Sequence, residues 1–272
     1  MLKRTFSSLI LWSVLLVCLG TFGATGAVWL IAAMSTLTLY EFYGMIGRLG
    51  FAPFTWLGLA LGTAITLAPR YLEPQATPAG LLALGIIAFS VRILGERKPE
   101  NRLETLGWTL CGLVYVPFML QFLVRIAMIA SPHPATGLAL LFWLIAVCKL
   151  CDTGALLTGL AIGRHKMAPT ISPKKTWEGV VGGLLISVIA GAALAWGCRA
   201  YLPAAFTPVV GAIAALPLAA LAAVSDLVES IIKRRAEIKD SGHTVPGIGG
   251  VFDLSDSLIL AAPAGWAVFH LF

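Results

Sequence analysis

Charged residues are scarce in this chain. They make up 12% of its 272 residues, whereas a soluble domain averages about 25%, and the mean hydropathy is +0.90. No polar block approaches the roughly 50 residues of the smallest separate domains, so a soluble domain beside the apolar part is excluded. The composition predicts an all-α fold, namely a polytopic integral membrane helical bundle in which 1–272 form a single transmembrane domain.

The chain also lacks a zinc-ligand set and a Walker A loop. Its five cysteines lie in or beside apolar stretches, and only Cys148 and Cys151 form a C-x-x-C pair. Zinc would need two further ligands at suitable spacing, so we interpret the cysteines as small apolar side chains. The glycine-rich segment 242–250 is not followed by the Gly-Lys-Ser/Thr of a Walker A loop.

Long apolar runs predict about nine transmembrane helices. They lie near 8–22, 25–46, 52–69, 78–94, 105–130, 136–160, 177–198, 205–225 and 254–271. Most of these runs are close in length to the roughly 20 residues that a helix needs to cross a bilayer, and this length favours helices over barrel strands. Three glycines are the only break between the first two runs, so fusing these runs would leave eight helices.

Basic residues are divided unevenly between the predicted loops. With nine spans and a cytoplasmic N-terminus, fifteen of the 19 lysines and arginines lie on the cytoplasmic side, and two lie on the other side. This bias follows the positive-inside rule and places the polar loops 161–176 and 226–252 on the cytoplasmic face. Basic loops beside anionic lipid explain the net charge of +6, so no nucleic acid is expected as a partner.

The stretch 225–256 holds ten charged residues of both signs. Asp226, Ser230 and Lys233 are spaced i, i+4 and i+7, so a helix would place them on one face, and Arg234 borders that face. A carboxylate, a hydroxyl and two cations would then line up together. The simpler alternative is a helix that leaves the membrane and exposes its charges to water.

Two acids stand at the start of the last predicted span. Asp253 and Asp256 are three residues apart, and helix capping is the simpler explanation because Asp favours the N-cap position. A single acid would satisfy a cap, however. Mg²⁺ prefers oxygen ligands and uses one or two carboxylates together with substrate phosphates. Asp226 and Asp253 are therefore candidates for such a pair on neighbouring helices.

A second set of polar residues lies upstream. Asp152 falls inside a predicted span, where a carboxylate needs a partner or a function, and Lys149 is its candidate ion-pair partner. Lys174 and Lys175 come just before a helix for which Thr176 is the predicted N-cap. Helix N-termini with adjacent lysines favour phosphate binding, and a basic flank at the membrane surface is the alternative explanation.

These segments resemble the signature of the phosphatidate cytidylyltransferases, also called CDP-diacylglycerol synthases. The downstream part of the resemblance comprises Ser230, Lys233, Arg234, Lys239, Asp240, Gly242, Pro246, Gly249, Gly250, Asp253 and Asp256. The upstream part comprises Asp152-Thr153-Gly154-Ala155 and the run from Ser172 to Gly179. The motif-bearing catalytic half is thus about 150–256. Ile248 and Leu254 stand where the family usually has histidine and arginine.

The resemblance implies that CTP and phosphatidate react to give CDP-diacylglycerol and pyrophosphate. It also implies Mg²⁺ as cofactor, with K⁺ at a second cation site as a further hypothesis. The implied metal ligands are Asp226, Asp253 and Asp256. The implied catalytic residues are Asp226, Asp253, Lys233, Arg234, Lys239 and Asp240. The implied substrate-binding residues are Asp152, Ser172, Lys174, Lys175, Glu178, Ser230, His243, Gly249 and Gly250.

The charge bias of the loops, the chain length and the compact set of spans predict a location, and the resemblance adds an expected assembly. We expect a multi-pass protein of the bacterial inner membrane, with the N-terminus and the active site on the cytoplasmic side. The lipid bilayer would supply phosphatidate and the cytoplasm would supply CTP. A homodimer is a further hypothesis.

Two other functions stay open from the sequence. A CTP-dependent polyprenol or lipid-alcohol kinase would transfer the γ-phosphoryl group and release CDP instead of pyrophosphate. A non-catalytic membrane transporter would show paired interrupted helices in two repeated halves. The sequence has no internal repeat, but Asp152, Lys149 and Arg125 within spans are the residues that favour a transporter.

Overall fold

Helices form most of the described part of the protein in its computed structural model. The structure describes residues 2–95, 102–242 and 249–272, and it describes side chains from residue 17 onward with the exception of residue 19. His243, which the resemblance implies as a substrate-binding residue, and Ile248 lie outside the described residues. The predicted all-α membrane fold is confirmed. The helices are α1 (Leu2–Arg48), α2 (Thr55–Tyr71), α3 (Pro78–Leu94), α4 (Arg102–Tyr115), α5 (Pro117–Ala127), α6 (Thr136–Ile162), α7 (Trp177–Gly197), α8 (Pro208–Arg235) and α9 (Phe252–Phe269).

Several of these helices are long and apolar enough to cross a membrane. Within the described part of the chain there are five such stretches, and they are Gly20–Arg48, Arg102–Ala127, Thr136–Ile162, Trp177–Gly197 and Pro208–Arg235. Pro78–Leu94 is a shorter apolar helix. Most helices follow the predicted spans, because a continuous apolar run can satisfy its backbone polar groups in lipid only by becoming helical. The span predicted at 105–130 is instead two helices, α4 and α5, which meet at Val116 just before Pro117.

Glycine interrupts the first helix at the predicted break. Gly23 has φ 53° and ψ −132°, so two helical segments meet there. A positive φ of this kind costs glycine little and other residues more, since glycine has no Cβ. The sequence did not decide whether the first two spans are separate or fused, and the structure has a non-helical residue, Gly23, at the point where they meet.

Helix α8 extends well beyond its predicted span. The apolar run ends near 225, but the helix continues through the polar sequence to Arg235. The segment from Asp226 to Arg235 contains no glycine or proline, so nothing in it stops a helix. The predicted helical arrangement of Asp226, Ser230 and Lys233 is therefore present.

A small hairpin replaces part of the predicted loop 161–176. Strands β1 (Lys166–Ala168) and β2 (Ser172–Thr176) pair antiparallel. The second strand runs directly into α7, whose N-cap is Thr176 as predicted, with its Oγ1 accepting a hydrogen bond from the Gly179 N–H at 3.1 Å.

The chain divides into two compact units. Unit 1 comprises Met1–Arg125 and Ile232–Ser255, and unit 2 comprises Ile126–Ile231 and Asp256–Phe272. The single domain over 1–272 stays a prediction.

Aromatic side chains fill the core of unit 1. The rings of Phe42, Tyr115 and Phe252 contact one another with centroids 6.3–6.4 Å apart. The Tyr43 hydroxyl donates a hydrogen bond to the carbonyl oxygen of Thr109 at 2.8 Å. Burial of such rings, together with their edge-to-face contacts, stabilises the packing of the helices.

Unit 2 is built on close packing between α6 and α7. A Cβ at Gly183 would lie only 2.6 Å from the carbonyl oxygen of Cys151, so glycine is needed for the two backbones to approach. Hydrogen bonds then join the helices, from Ser187 Oγ to the Val147 carbonyl at 3.0 Å and from Trp143 Nε1 to the Gly191 carbonyl at 2.8 Å.

Arg125 has a local partner in unit 1. Its guanidinium forms an ion pair with Glu73 and donates a hydrogen bond to Gln121 Oε1 at 2.9 Å. An arginine within an apolar stretch is tolerated when it is paired in this way. These local partners explain how the charge of Arg125 is accommodated in an apolar stretch without reference to a transported substrate.

Candidate active site

A cavity of about 520 Å³ lies in unit 2, between α6, the hairpin, α7 and α8. Lys166, Lys174 and Lys175 from the hairpin supply positive charge to its wall, and Asp152 and Asp226 supply negative charge. A site with both signs suits a ligand that carries phosphates together with a cation.

The same cavity also has an apolar wall. Leu156 and Leu160 of α6 and Val180 of α7 line it beside the charged residues. Leu156 and Leu160 are exposed on a helix that is long and apolar enough to cross a membrane. The cavity can therefore accept a ligand that is part phosphate and part hydrocarbon.

An ion pair joins the hairpin to α8. Lys175 Nζ lies 2.6 Å from Asp226 Oδ2, and the two side chains are 24% and 26% exposed. The sequence predicts roles for both residues but not their contact, because 50 residues separate them in the chain.

Three carboxylates cluster in unit 2. Asp226, Glu229 and Asp256 each offer an oxygen, and these oxygens lie within 4.8 Å of one another. Glu229 and Asp256 are buried, whereas Asp226 is partly exposed. The Ser225 hydroxyl donates a hydrogen bond to the carbonyl oxygen of Asp256, which ties α8 to α9 at this cluster. Oxygen ligands at this spacing fit a hard divalent cation.

A lysine from α6 lies at the edge of the carboxylate cluster. Lys149 Nζ is 2.7 Å from Ser257 Oγ, 3.5 Å from Asp256 Oδ1 and 3.7 Å from Asp152 Oδ2. The predicted pair between Lys149 and Asp152 is therefore present, and the ammonium also faces Asp256. The positive charge of Lys149 offsets part of the negative charge of Asp152 on α6 and Asp256 on α9.

Glu178 has a local structural role at the start of α7. Its carboxylate accepts hydrogen bonds from the backbone N–H groups of Arg164 and His165, at 3.1 and 3.2 Å, and lies 2.5 Å from His165 Nδ1. This arrangement fixes the entry to the hairpin. Ser172 lies at the start of β2 and Ser230 is buried on α8. The lining of the 520 Å³ cavity includes none of the predicted substrate-binding residues Ser172, Glu178 and Ser230.

In unit 1, Asp253 and Lys233 are brought together as an ion pair. Lys233 Nζ donates to Asp253 Oδ1 at 2.7 Å. The other carboxylate oxygen, Oδ2, accepts from the backbone N–H of Gly250 at 2.9 Å and from the N–H and hydroxyl of Ser241 at 3.2 and 3.0 Å. The Asp253 carboxylate therefore organises the chain on both sides of the undescribed segment 243–248.

Two predicted substrate-binding glycines lie in this turn. Gly249 has φ +131°, a backbone conformation that residues other than glycine rarely adopt. A Cβ at this position would lie 2.8 Å from Asp253 Oδ2. A Cβ at Gly250 would meet Ser241 Oγ and the carboxylate of Glu41. Within the described residues, these glycines thus let the backbone come close to the side chains of Asp253, Ser241 and Glu41, which belong to the same unit.

Glu41 contacts the same turn from α1. Its buried carboxylate accepts hydrogen bonds from the N–H groups of Val251 at 3.0 Å and Phe252 at 2.8 Å, and its Oε2 lies within hydrogen-bond distance, 3.1 Å, of the Ser241 hydroxyl. The remaining predicted catalytic residues, Arg234, Lys239 and Asp240, are exposed at the end of α8 and just after it.

Comparison with known proteins identifies the family. The model of the cytidylyltransferase family matches residues 2–272. The chain belongs to this family. A phosphatidate cytidylyltransferase of Rickettsia bellii is 34% identical over 209 residues, which cover 76% of this chain and 88% of that protein. One of Bacillus subtilis is 28% identical over 248 residues, 89% of this chain and 88% of that protein. The predicted family resemblance is confirmed.

A mycobacterial member of the family is longer. The phosphatidate cytidylyltransferase of Mycobacterium bovis is 34% identical over 181 residues, which cover 65% of this chain and 55% of that protein. The chain thus spans about half the length of the mycobacterial relatives it matches.

The sequence did not predict the contacts of three charged residues that lie near the predicted site residues. Glu229 is one turn from Asp226 on α8, and that spacing was the signal that could have found it. Lys149 was recognised only as a partner of Asp152, since its proximity to Asp256 depends on the packing of α9. Glu41 is a single acid in an apolar run, and nothing in its neighbourhood in the sequence indicates its contacts.

Proposed function

We propose that the protein is a phosphatidate cytidylyltransferase. A phosphate oxygen of phosphatidate attacks the α-phosphorus of CTP, a new P–O bond forms, and the bond to the β-phosphate oxygen breaks, giving CDP-diacylglycerol and pyrophosphate. The cavity of unit 2 carries this proposal, because three lysines and two aspartates lie beside apolar side chains of a membrane-type helix. The relatives named above bear the name of this activity.

The chain's own residues act mainly by neutralising and orienting phosphates. The nucleophile is ionised near neutral pH, so no strong general base is needed, and the barrier comes from bringing two anions together and stabilising the leaving pyrophosphate. Lys174 and Lys175 lie on a strand and in the cavity wall, where their ammonium groups can bind the triphosphate or the lipid phosphate. Lys166 adds a third positive charge to the same wall.

A divalent cation fits the carboxylates of unit 2. Asp226, Glu229 and Asp256 offer clustered hard oxygen ligands, and we propose that they hold Mg²⁺. The bound ion would supply charge neutralisation on the phosphates. Asp253 was predicted as a ligand too, and this role stays a prediction; we propose in addition that its carboxylate organises the turn together with Lys233. A second site for K⁺ stays a prediction.

Location follows from the same proposal. The apolar helices make this a multi-pass membrane protein, and the relatives named above are bacterial. We propose the inner membrane, with the cavity opening to the cytoplasm where CTP is available. The predicted homodimer stays a prediction.

The deciding experiment uses the purified full chain in detergent with phosphatidate, Mg²⁺ and CTP labelled at the α-phosphate. Label in a lipid product, with one pyrophosphate released per lipid, is expected. Asp226→Asn should lower the rate at least about a hundredfold, because it removes a charged group from both the ion pair and the carboxylate cluster. In a parallel reaction that supplies a polyprenol in place of phosphatidate, labelled CDP without pyrophosphate and without label in the lipid would establish the kinase instead. No lipid product from the wild type would refute the proposal.

A further inference from the structure

Glu41 places a negative charge at the start of α9. The first N–H groups of a helix have no partner within the helix, and those of Val251 and Phe252 donate to the two carboxylate oxygens of Glu41, Oε1 and Oε2. The helix dipole adds to this attraction, since its N-terminal end carries partial positive charge. Glu41 thus acts as a cap for α9 although it belongs to α1.

Ser241 links Glu41 to Asp253. Its hydroxyl lies 3.1 Å from Glu41 Oε2 and 3.0 Å from Asp253 Oδ2. A hydroxyl has one proton and can donate it to only one of these carboxylates at a time. The two acids therefore compete for one donor, and any change in the acceptor strength of Glu41 alters the hydrogen bonding of Asp253.

Two glycines make room for the Glu41 carboxylate. A Cβ at Gly242 would lie 2.5 Å from Glu41 Oε1, and a Cβ at Gly250 would also collide with this carboxylate. Chain segments on both sides of 243–248 are thus packed directly on one side chain. Glu41 is 5% exposed, so the contact is shielded from water and its charge-assisted hydrogen bonds are stronger than they would be at the surface.

We propose that Glu41 is a positioning residue for the turn that carries Asp253. It fixes the backbone at Gly250, Val251 and Phe252 and, through Ser241, orients the Asp253 carboxylate toward Lys233. Glu41 lies outside the family motif segments from which the other site residues were predicted. The effect on catalysis rests on the proposed function, whereas the effect on the turn does not.

The test compares Glu41→Gln with the wild type by two measurements. Glutamine keeps the size of the side chain but has one acceptor oxygen for the three donors. Hydrogen exchange of the peptide that contains Val251 and Phe252 should become faster by about tenfold or more, since a lost hydrogen bond to a charged group allows local opening. In the transferase assay, kcat should fall about tenfold or more while the KM for CTP changes less than about threefold.

Thr38→Val is the matched control. Thr38 lies one turn before Glu41 on α1, and its hydroxyl also bonds α9, at Ser255 Oγ at 2.8 Å. Ser255 keeps a second contact, because its hydroxyl donates to the Phe252 carbonyl at 3.3 Å. This control removes an α1–α9 hydrogen bond outside the turn, so exchange at 251–252 and kcat should both stay within about twofold of the wild type.

Each result decides the proposal. Unchanged exchange in Glu41→Gln, or an equal change in Thr38→Val, would overturn it, as would an unchanged kcat beside faster exchange. If Glu41→Gln does not fold, Glu41→Asp, which keeps both oxygens but reaches less far, should show intermediate losses in the same two measurements, and wild-type values in it would overturn the proposal. An inactive wild type would refute the proposed function alone, and hydrogen exchange would still decide whether Glu41 fixes the turn.

Discussion

Lys175 and Asp226 form an ion pair across unit 2, with Nζ 2.6 Å from Oδ2. The lysine belongs to the hairpin and lines the cavity, and the aspartate belongs to the carboxylate cluster. Lys175 therefore lies between the wall we propose for phosphate binding and the site we propose for Mg²⁺.

Replacing Lys175 with glutamine is expected to lower kcat/KM for CTP by about ten- to a hundredfold, because a hydrogen bond to a charged group contributes about 1.5–3 kcal/mol. Initial rates of lipid labelling over a range of CTP concentrations measure this effect. Arg199→Gln, at an exposed position of the same unit, should leave kcat/KM within about twofold. Equal losses in both variants would show that the loss is not specific to the Lys175–Asp226 pair.

Glu229→Gln is expected to weaken Mg²⁺ binding. The change removes one negative charge from three clustered carboxylates, so the Mg²⁺ concentration for half-maximal rate should rise about tenfold or more. The Mg²⁺-dependent rise in the thermal midpoint should shrink in parallel. Glu237→Gln, at an exposed residue just after α8, is the control. A Glu229→Gln protein with wild-type dependence on Mg²⁺ would argue against the assigned site.

Lys149→Met is expected to make folding more dependent on Mg²⁺. Without the ammonium, Asp256 and Asp152 lose a positive neighbour at 3.5 and 3.7 Å, so the metal-free protein should melt several degrees lower. Because the ammonium no longer offsets the negative charge of these acids, affinity for cations should rise, and the midpoint should rise more on adding Mg²⁺ than in the wild type. Lys149→Arg, which keeps the charge, should behave like the wild type. Equal Mg²⁺ shifts in the wild type and Lys149→Met would contradict this expectation.

Gly250→Ala should abolish most of the activity. Its Cβ would collide with Ser241 Oγ and Glu41, both buried, and the turn that holds Asp253 would have to move. We expect kcat to fall at least about tenfold. Gly107→Ala offers the contrast, since a Cβ there meets nothing within 4 Å and alanine in a helix is about 0.5–1 kcal/mol more favourable than glycine. That variant should keep full activity and unfold at the same or a higher temperature.

Helix positions were predictable because apolar runs and glycine breaks are local signals. The span predicted at 136–160 is α6, Thr136–Ile162, and the span at 78–94 is α3, Pro78–Leu94. The far end of α8 was not predictable from hydropathy, because the apolar run stops near 225 although the polar residues that follow still form a helix. Strands as short as β1 carry too few residues for an alternating pattern to stand out.

The site was predictable where its residues repeat within one element. Asp226, Ser230 and Lys233 share α8, and Thr176 caps α7 as expected. The contacts of Glu41 could not be predicted in this way, since its partners Val251 and Phe252 are 210 and 211 residues away in the chain. A buried acid in an apolar run indicates that some partner exists, but only the packing of the helices identifies it.

The hairpin has a consequence for affinity. Ordering a flexible loop around a ligand costs about 1–2 kcal/mol for each residue whose backbone becomes fixed. Lys174 and Lys175 lie on a paired strand that leads into a capped helix, so their backbone is ordered before the proposed nucleotide ligand binds. Binding then has to immobilise only their side chains, and more of the attraction between ammonium and phosphate remains as net binding free energy.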